Sequence, residues 1–263
     1  MNYTEYLRQG YINNQIWMGN AEKPVVKFPA VKSNKVLDLN LTNNIIVVGD
    51  SGDCKKFLYA ELLRNYQPQQ LRTTEIACVD IEELKTPLLT FTLGSRGIHI
   101  VQSIKALKMY LKAVYGMYTQ ILSCPETNAG RMEVLILDGI LSAICTATET
   151  LNCKEVIEET IVLLRTINSM AKGENIRLVY FERNDLDFQR HEWLKEFVGG
   201  ATPLVFKCDG ATSKFFLKTD IACILNNNQH FYMLEDGDIC KYETPEVSSE
   251  EYDNMLTKLI NSR

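Results

Sequence analysis

The sequence predicts an α/β fold with a mostly parallel sheet and helices on both faces, and three observations lead there. Runs of four or five apolar residues, such as Ile45-Ile46-Val47-Val48, recur with amphipathic helical stretches between them, the pattern of strands buried on both faces. No Pro/Gly/Ser-rich linker and no internal repeat divides the chain, so residues 1–263 read as one domain. Apolar residues make up 46% of the sequence against 14 glycines and 7 prolines, enough for a packed core and unlike collagen-like or low-complexity chains.

Residues 1–43 read as a lead-in of short extended pieces, Pro24 to Phe28 and Lys35 to Leu39. A turn at Asn40 to Asn44 leads into the clearest buried strand, Ile45 to Val48, and a helix follows at about 54–66 with Phe57, Leu58, Leu62 and Tyr66 at core spacing. Glu75 to Asp80 and Ile98 to Val101 supply two further strands. Ser103 is placed to cap a long helix running to about Leu122, with Ile104, Leu107, Leu111, Val114, Tyr118 and Ile121 on one stripe. Lys105, Lys108 and Lys112 share another face of it, which reads as solvated.

Met132 to Asp138 is the next strand, and Lys154 to Lys172 a helix that is apolar around much of its circumference. Ile176 to Phe181, a helix near 188–198, a strand at Leu204 to Cys208 and strands within Ile221 to Tyr242 complete the core, residues 44–246. Ser248-Ser-Glu-Glu251 is a capping box that opens a terminal amphipathic helix over 247–263, with Tyr252, Met255, Leu256 and Leu259 on its apolar face.

Charge and cysteine usage narrow the function classes. The balance of 28 basic and 33 acidic residues leaves a net charge of −5, which argues against non-specific nucleic-acid binding. A membrane span needs about 20 consecutive apolar residues, and no run approaches that. The opening Met-Asn-Tyr-Thr-Glu-Tyr-Leu-Arg has no basic region followed by an apolar stretch, so no signal peptide is expected. Cysteines stand at 54, 78, 124, 145, 153, 208, 223 and 240 without a C-x-x-C pair, and with three scattered histidines they predict reduced thiols rather than a metal site. Trp17 and Trp193 read as packing aromatics in preference to partner anchors.

The stretch carrying chemistry is Gly49-Asp50-Ser51-Gly52-Asp53-Cys54-Lys55-Lys56, at the join of the first buried strand and its helix. A phosphate-binding P-loop reads G-x-x-x-x-G-K-[ST] in that context. Gly49 and Lys55 match it, but Cys54 replaces the second glycine and puts a side chain where backbone must approach phosphate. Lys56 replaces the hydroxyl that holds Mg²⁺. Asp50 and Asp53 add negative charge to a loop whose amides would have to attract phosphate. Downstream, Val134-Leu-Ile-Leu-Asp138-Gly139 has the form of a Walker B strand, with Gly139 where hydrolytic relatives carry the acid that activates water.

In that order of elements the chain resembles the FtsK/SpoIIIE-type P-loop ATPases, and within them a C-terminal ATPase domain of the membrane-anchored type VII secretion motors, the EssC/EccC family. The residues that carry the resemblance are the Ile45–Val48 strand with Gly49-x-x-Gly52-x-x-Lys55, Gly97-Ile-His-Ile-Val101 before the long helix, and Val134 to Asp138. Met170-Ala-Lys-Gly173-Glu-Asn-Ile-Arg-Leu-Val179 and the hairpin-like Phe231 to Pro245 extend it, so that it covers roughly 10–246. The family places a polar sensor after the strand that ends at Phe181, and Glu182-Arg183-Asn184-Asp185 stands there, with Glu182 and Asn184 as the sensor-like residues.

The resemblance implies a P-loop NTPase-like (RecA/FtsK-like) fold and a degenerate domain on the cytoplasmic side of a membrane-anchored motor. It also implies partners: secreted helical-hairpin substrates or adaptors and neighbouring ATPase domains, with no nucleic acid and no direct membrane insertion. No residue is assigned a catalytic role, no metal or cofactor is expected, and ATP with Mg²⁺ would bind only weakly. The expected function is a non-hydrolysing (pseudo-ATPase) domain acting in substrate recognition and regulation of export. The alternatives are a weak ATPase completed by its neighbours and, third, a DNA translocase domain.

Overall fold

The computed structural model describes residues 15–22, 33–38, 43–49, 71–78, 98–101, 103–124, 132–171, 176–182, 186–225, 230–235, 237–243 and 250. Its strands are β1 (Gln15–Glu22), β2 (Ser33–Asp38), β3 (Ile45–Val48), β4 (Leu71–Cys78), β5 (Ile98–Val101), β6 (Met132–Asp138), β7 (Ile176–Glu182), β8 (Thr202–Val205), β9 (His230–Glu235) and β10 (Asp238–Glu243). They form one sheet in the order β2-β1-β10-β9-β8-β3-β7-β6-β4-β5. The run from β8 to β5 is parallel, six strands in all, and β9, β10, β1 and β2 extend it antiparallel.

The helices are α1 (Ile104–Ser123), α2 (Ile140–Thr150), α3 (Lys154–Met170), α4 (Glu192–Val198) and α5 (Gly210–Leu217). In α1 the Ser103 hydroxyl accepts from the Ala106 amide at 3.2 Å, as the sequence predicts, and Ile104, Leu107, Leu111, Val114 and Tyr118 are buried. Lys105 and Lys112 are exposed, while Lys108 pairs with Glu159 of α3; the lysine face is a solvated one. Central strands are buried on both faces: all four residues of β3 and all seven of β7 are buried, which explains the apolar runs Ile45 to Val48 and Leu178 to Phe181. Trp193 stacks edge-on against Phe197 at 5.7 Å, a packing role; the Trp17 side chain lies outside the described residues.

Several boundaries differ from the sequence reading. Strand β4 starts at Leu71 and ends at Cys78, because Arg72 to Thr74 pair with β6 despite their polarity. Strand β8 is Thr202–Val205, not 204–208, since the Thr202 amide already reaches the Asn44 carbonyl at 2.6 Å. The helix expected near 188–198 is only α4, because Asp187 Oδ1 accepts from the Gln189 amide and holds a turn there. Helix α3 ends at Met170, and Val162 stands 57% exposed, so α3 is more one-sided than its sequence suggests. Strand β1 and helices α2 and α5 are additions. The helix predicted at 54–66, the extended piece at 24–28 and, apart from the helical Glu250, the terminal helix predicted at 247–263 lie outside the described residues.

Candidate functional site

In open α/β sheets ligands bind outside the carboxyl ends of the parallel strands. Here β3, β7 and β6 lie side by side and end at Val48, Glu182 and Asp138, with Val48 in register with Glu182 and Asp138 with Phe181. Three of the residues singled out in the sequence, Gly49, Asp138 and Glu182, are thus gathered at one edge, with Gly139 directly after. Asp50 to Lys56 and Arg183 to Asp185, including the sensor-like Asn184, lie outside the described residues.

Gly49 leaves β3 with φ +132°, a conformation that L side chains rarely adopt. A Cβ on it would sit 2.8 Å from Phe206 Cβ and 2.9 Å from the Lys207 carbonyl oxygen, so the segment that follows β8 approaches Gly49 too closely for any side chain. Asp138, the Walker B-like carboxylate, is buried at the end of β6. Gly139 follows at φ 68°; its amide donates to the Phe181 carbonyl at 2.8 Å and its carbonyl accepts from Ala143 at 2.9 Å. The chain therefore turns from β6 directly into α2.

That turn leaves α2 without a capping side chain of its own, because its N-cap is Gly139. The missing acceptor comes from β7. Glu182 Oε1 accepts from the Leu141 amide at 2.8 Å, and Oε2 accepts from the Ser142 amide at 3.1 Å and the Ser142 hydroxyl at 2.7 Å. These amides are the second and third of the helix, the donors a serine or aspartate N-cap would satisfy. Glu182 is fully buried. The sequence analysis placed it after the strand, as a sensor-like residue; it is the last residue of β7, and its carboxylate caps α2. No local signal in the sequence marks this pairing, because α2 opens on a glycine and is not itself legible there.

Beside it a cavity of about 150 Å³ is lined by Ser142, Cys145 and Glu149 of α2 and by Asp187, Arg190 and His191. Arg190 already pairs with Glu149 at 2.8 Å across its mouth. Burial, then the charges of Glu182 and Glu149, push the Cys145 thiol up to about 12, so it is inert as a nucleophile at neutral pH. Small-molecule pockets generally measure about 300–1,000 Å³, so this space does not suit a nucleotide. Among the described residues no group of three or more His, Cys, Asp or Glu could hold a metal ion, and no helix is long and apolar enough to cross a membrane.

No family model and no curated protein matches the sequence. Solved structures do match its fold. The pCW3 conjugation coupling protein TcpA, solved as a monomer with ATPγS, aligns at 13% identity and a TM-score of 0.65, over 95% of this chain and 72% of its own. The EssC ATPases 2 and 3 from Geobacillus thermodenitrificans align at 11% identity with a TM-score of 0.62, over 96% of this chain and 50% of theirs. The fold is that of a P-loop ATPase domain. The Thermomonospora curvata EccC ATPases 2 and 3, solved in complex with a signal sequence peptide, give 15% identity and a TM-score of 0.55 over 90% of this chain. This ATPase-like domain spans 50% and 41% of the length of the EssC and EccC chains, each of which holds two ATPases.

Proposed function

We propose that this chain is a non-hydrolysing domain of a type VII secretion motor, on the cytoplasmic side of the membrane, which recognises a secreted helical-hairpin protein or its adaptor without using nucleotide. The observation that carries the reading is the state of the carboxyl edge. Lys56 stands where Mg²⁺ needs a hydroxyl, and Gly139 where water needs a base. Among the described residues at this edge Glu182 is a carboxylate already committed elsewhere: three donors engage its two oxygens. Those bonds use the lone pairs that would take a proton from water. The α/β frame is nonetheless intact, which suits a domain kept for a surface. Likeness in fold to an EccC structure that holds a signal sequence peptide supports a peptide or helical cargo as the partner.

The test is to mix the purified chain with helical-hairpin proteins of the same secretion locus, with and without ATP, and follow binding by calorimetry. Binding that is unchanged by ATP is expected; binding that requires ATP overturns the reading. A second reading has one observation in its favour: the likeness to the coupling protein TcpA is at least as strong as that to the secretion ATPases. A DNA-transfer role would show as salt-dependent DNA binding, which the net charge of −5 opposes. A weak ATPase completed by neighbouring domains would show as turnover only in their presence.

A further inference from the structure

Helices α1 and α3 form one outer layer. The connection from β5 to β6 passes over β4, and that from β6 to β7 continues in the same direction along the parallel run. Right-handed crossovers therefore put both helices on one face of the sheet, pointing the same way. Lys108 of α1 pairs with Glu159 of α3, which sets the two side by side and level at that point. Residues opposite each buried stripe point away from the sheet. On α1 they are Lys105, Met109 and Lys112, and on α3 Glu155, Glu158 and Val162, all of them exposed. Met109 is 69% exposed and Val162 57%.

A single exposed apolar side chain is ordinary on a helix, and a solvated face commonly alternates the sign of its charges. These two faces do not alternate. Helix α1 has three lysines and no acidic residue, with Lys108 three places from Lys105 and four from Lys112. On α3 Glu155 stands three places from Glu158 and four from Glu159; its basic residues are Lys154, before them, and Arg165, which Glu196 of α4 holds. Like charges at those spacings destabilise a helix, and a facing strip of opposite sign relieves them. The same molecule carries both strips. We infer that this layer is a self-association surface: a second copy of the chain docks on it about a two-fold axis parallel to the helices, with α1 of each copy lying over α3 of the other. Such an axis keeps heights along the helices, so the level fixed by Lys108 and Glu159 brings Lys105 nearly opposite Glu155, and Met109 within one turn of Val162. A two-fold axis across the helices would set lysine on lysine and glutamate on glutamate, which opposes binding. By helix rise and packing distance the layer is about 30 Å long and about 20 Å wide, so about 1,200 Å² is covered in all, the low end for a specific interface. The association is therefore weak, carried by charge and sensitive to salt.

Sedimentation equilibrium of the full chain, without nucleotide or cargo, reads the association in low and high salt. Three variants are compared with the parent: Lys105→Glu with Lys112→Glu, Glu155→Lys with Glu158→Lys, and Met109→Ser. All five side chains are exposed and the Lys108–Glu159 pair is kept, and thermal melting checks that each variant folds. The single changes Lys112→Glu and Glu155→Lys read the same contacts if a double variant does not fold. The parent is expected to form a dimer and nothing larger, whose dissociation constant rises about tenfold from low to high salt. Each charge-reversed protein alone is expected to associate about tenfold more weakly, and Met109→Ser about threefold. An equal mixture of the two charge-reversed proteins should pair as the parent does, because α1 of one then faces α3 of the other with opposite charge at both contacts. A parent that stays monomeric at millimolar concentration leaves this face to a different partner and overturns the inference. So does a dimer that ignores both reversals, a mixture that does not pair, or a series of ever larger species.

Discussion

Asn44 and Asn168, which stand 124 positions apart in sequence, are joined inside the core by a 2.8 Å hydrogen bond from Asn44 Nδ2 to Asn168 Oδ1. The other end of the Asn44 amide accepts from the Leu178 amide at 3.0 Å, and Asn168 Oδ1 also accepts from the Tyr180 hydroxyl at 3.3 Å. One buried polar cluster thus ties the entry of β3 to α3 and β7. Leaving a buried donor or acceptor unpaired costs about 1–3 kcal/mol. Asn168→Ala and Asn44→Ala each break two of the three bonds, and each is expected to lower the unfolding free energy by at least that amount. Urea unfolding followed by circular dichroism measures both.

Gly49 should tolerate no substitution. Its positive φ costs a side chain about 1–3 kcal/mol, and the contacts with Phe206 Cβ and the Lys207 carbonyl add to it. Gly49→Ala is expected to destabilise the chain by at least that much. Adding Phe206→Ala should not restore it, since the backbone strain and the carbonyl contact remain. Thermal melts of the single and double variants decide this.

Restoring the missing acid at position 139 should fail for a structural reason. Gly139 sits at φ 68°, where a non-glycine residue costs about 1–2 kcal/mol. Gly139→Glu is therefore expected to lower stability by that amount and to give no phosphate release above background. Gly139→Asn, with a residue that enters the left-handed region more readily, should be the milder change. A phosphate-release assay with a melting curve for each variant tests both statements.

Cys145 makes a pH prediction. Its thiol is raised from an ordinary value near 9 to about 12, by burial first and then by Glu182 and Glu149. The folded chain therefore holds this proton more tightly than the unfolded chain. The sign follows: the stability contribution is complete below pH 9 and is lost as pH rises from about 9 through about 12. At pH 8 a thiol reagent should modify exposed Cys124 quickly and Cys145 only on unfolding. Peptide mapping after brief labelling checks the order of reaction.

The α/β class and most of the strands of the parallel sheet were legible in the sequence. Ile45 to Val48 and Val134 to Leu137 are short apolar runs buried on both faces, and Ser103 marks the start of α1 through a local hydrogen bond, so both signals lie within a few residues. Lys56 and Gly139 are departures from a pattern defined by adjacent positions, and need no fold to be seen. Strand β1 escaped because Asn20 and Glu22 are polar and one of its two partners, β10, lies in a distant part of the chain. Helix α2 escaped because it opens on a glycine with no capping side chain nearby. What only the tertiary structure decided is the role of Glu182. Its acceptor capacity is matched to the amides of Leu141 and Ser142, 41 and 40 positions away, and only the parallel pairing of β6 with β7 brings the two ends together. Local propensity records which residues form a strand or a helix; hydrogen bonds closed across the sheet depend on register, which is fixed when the whole core packs.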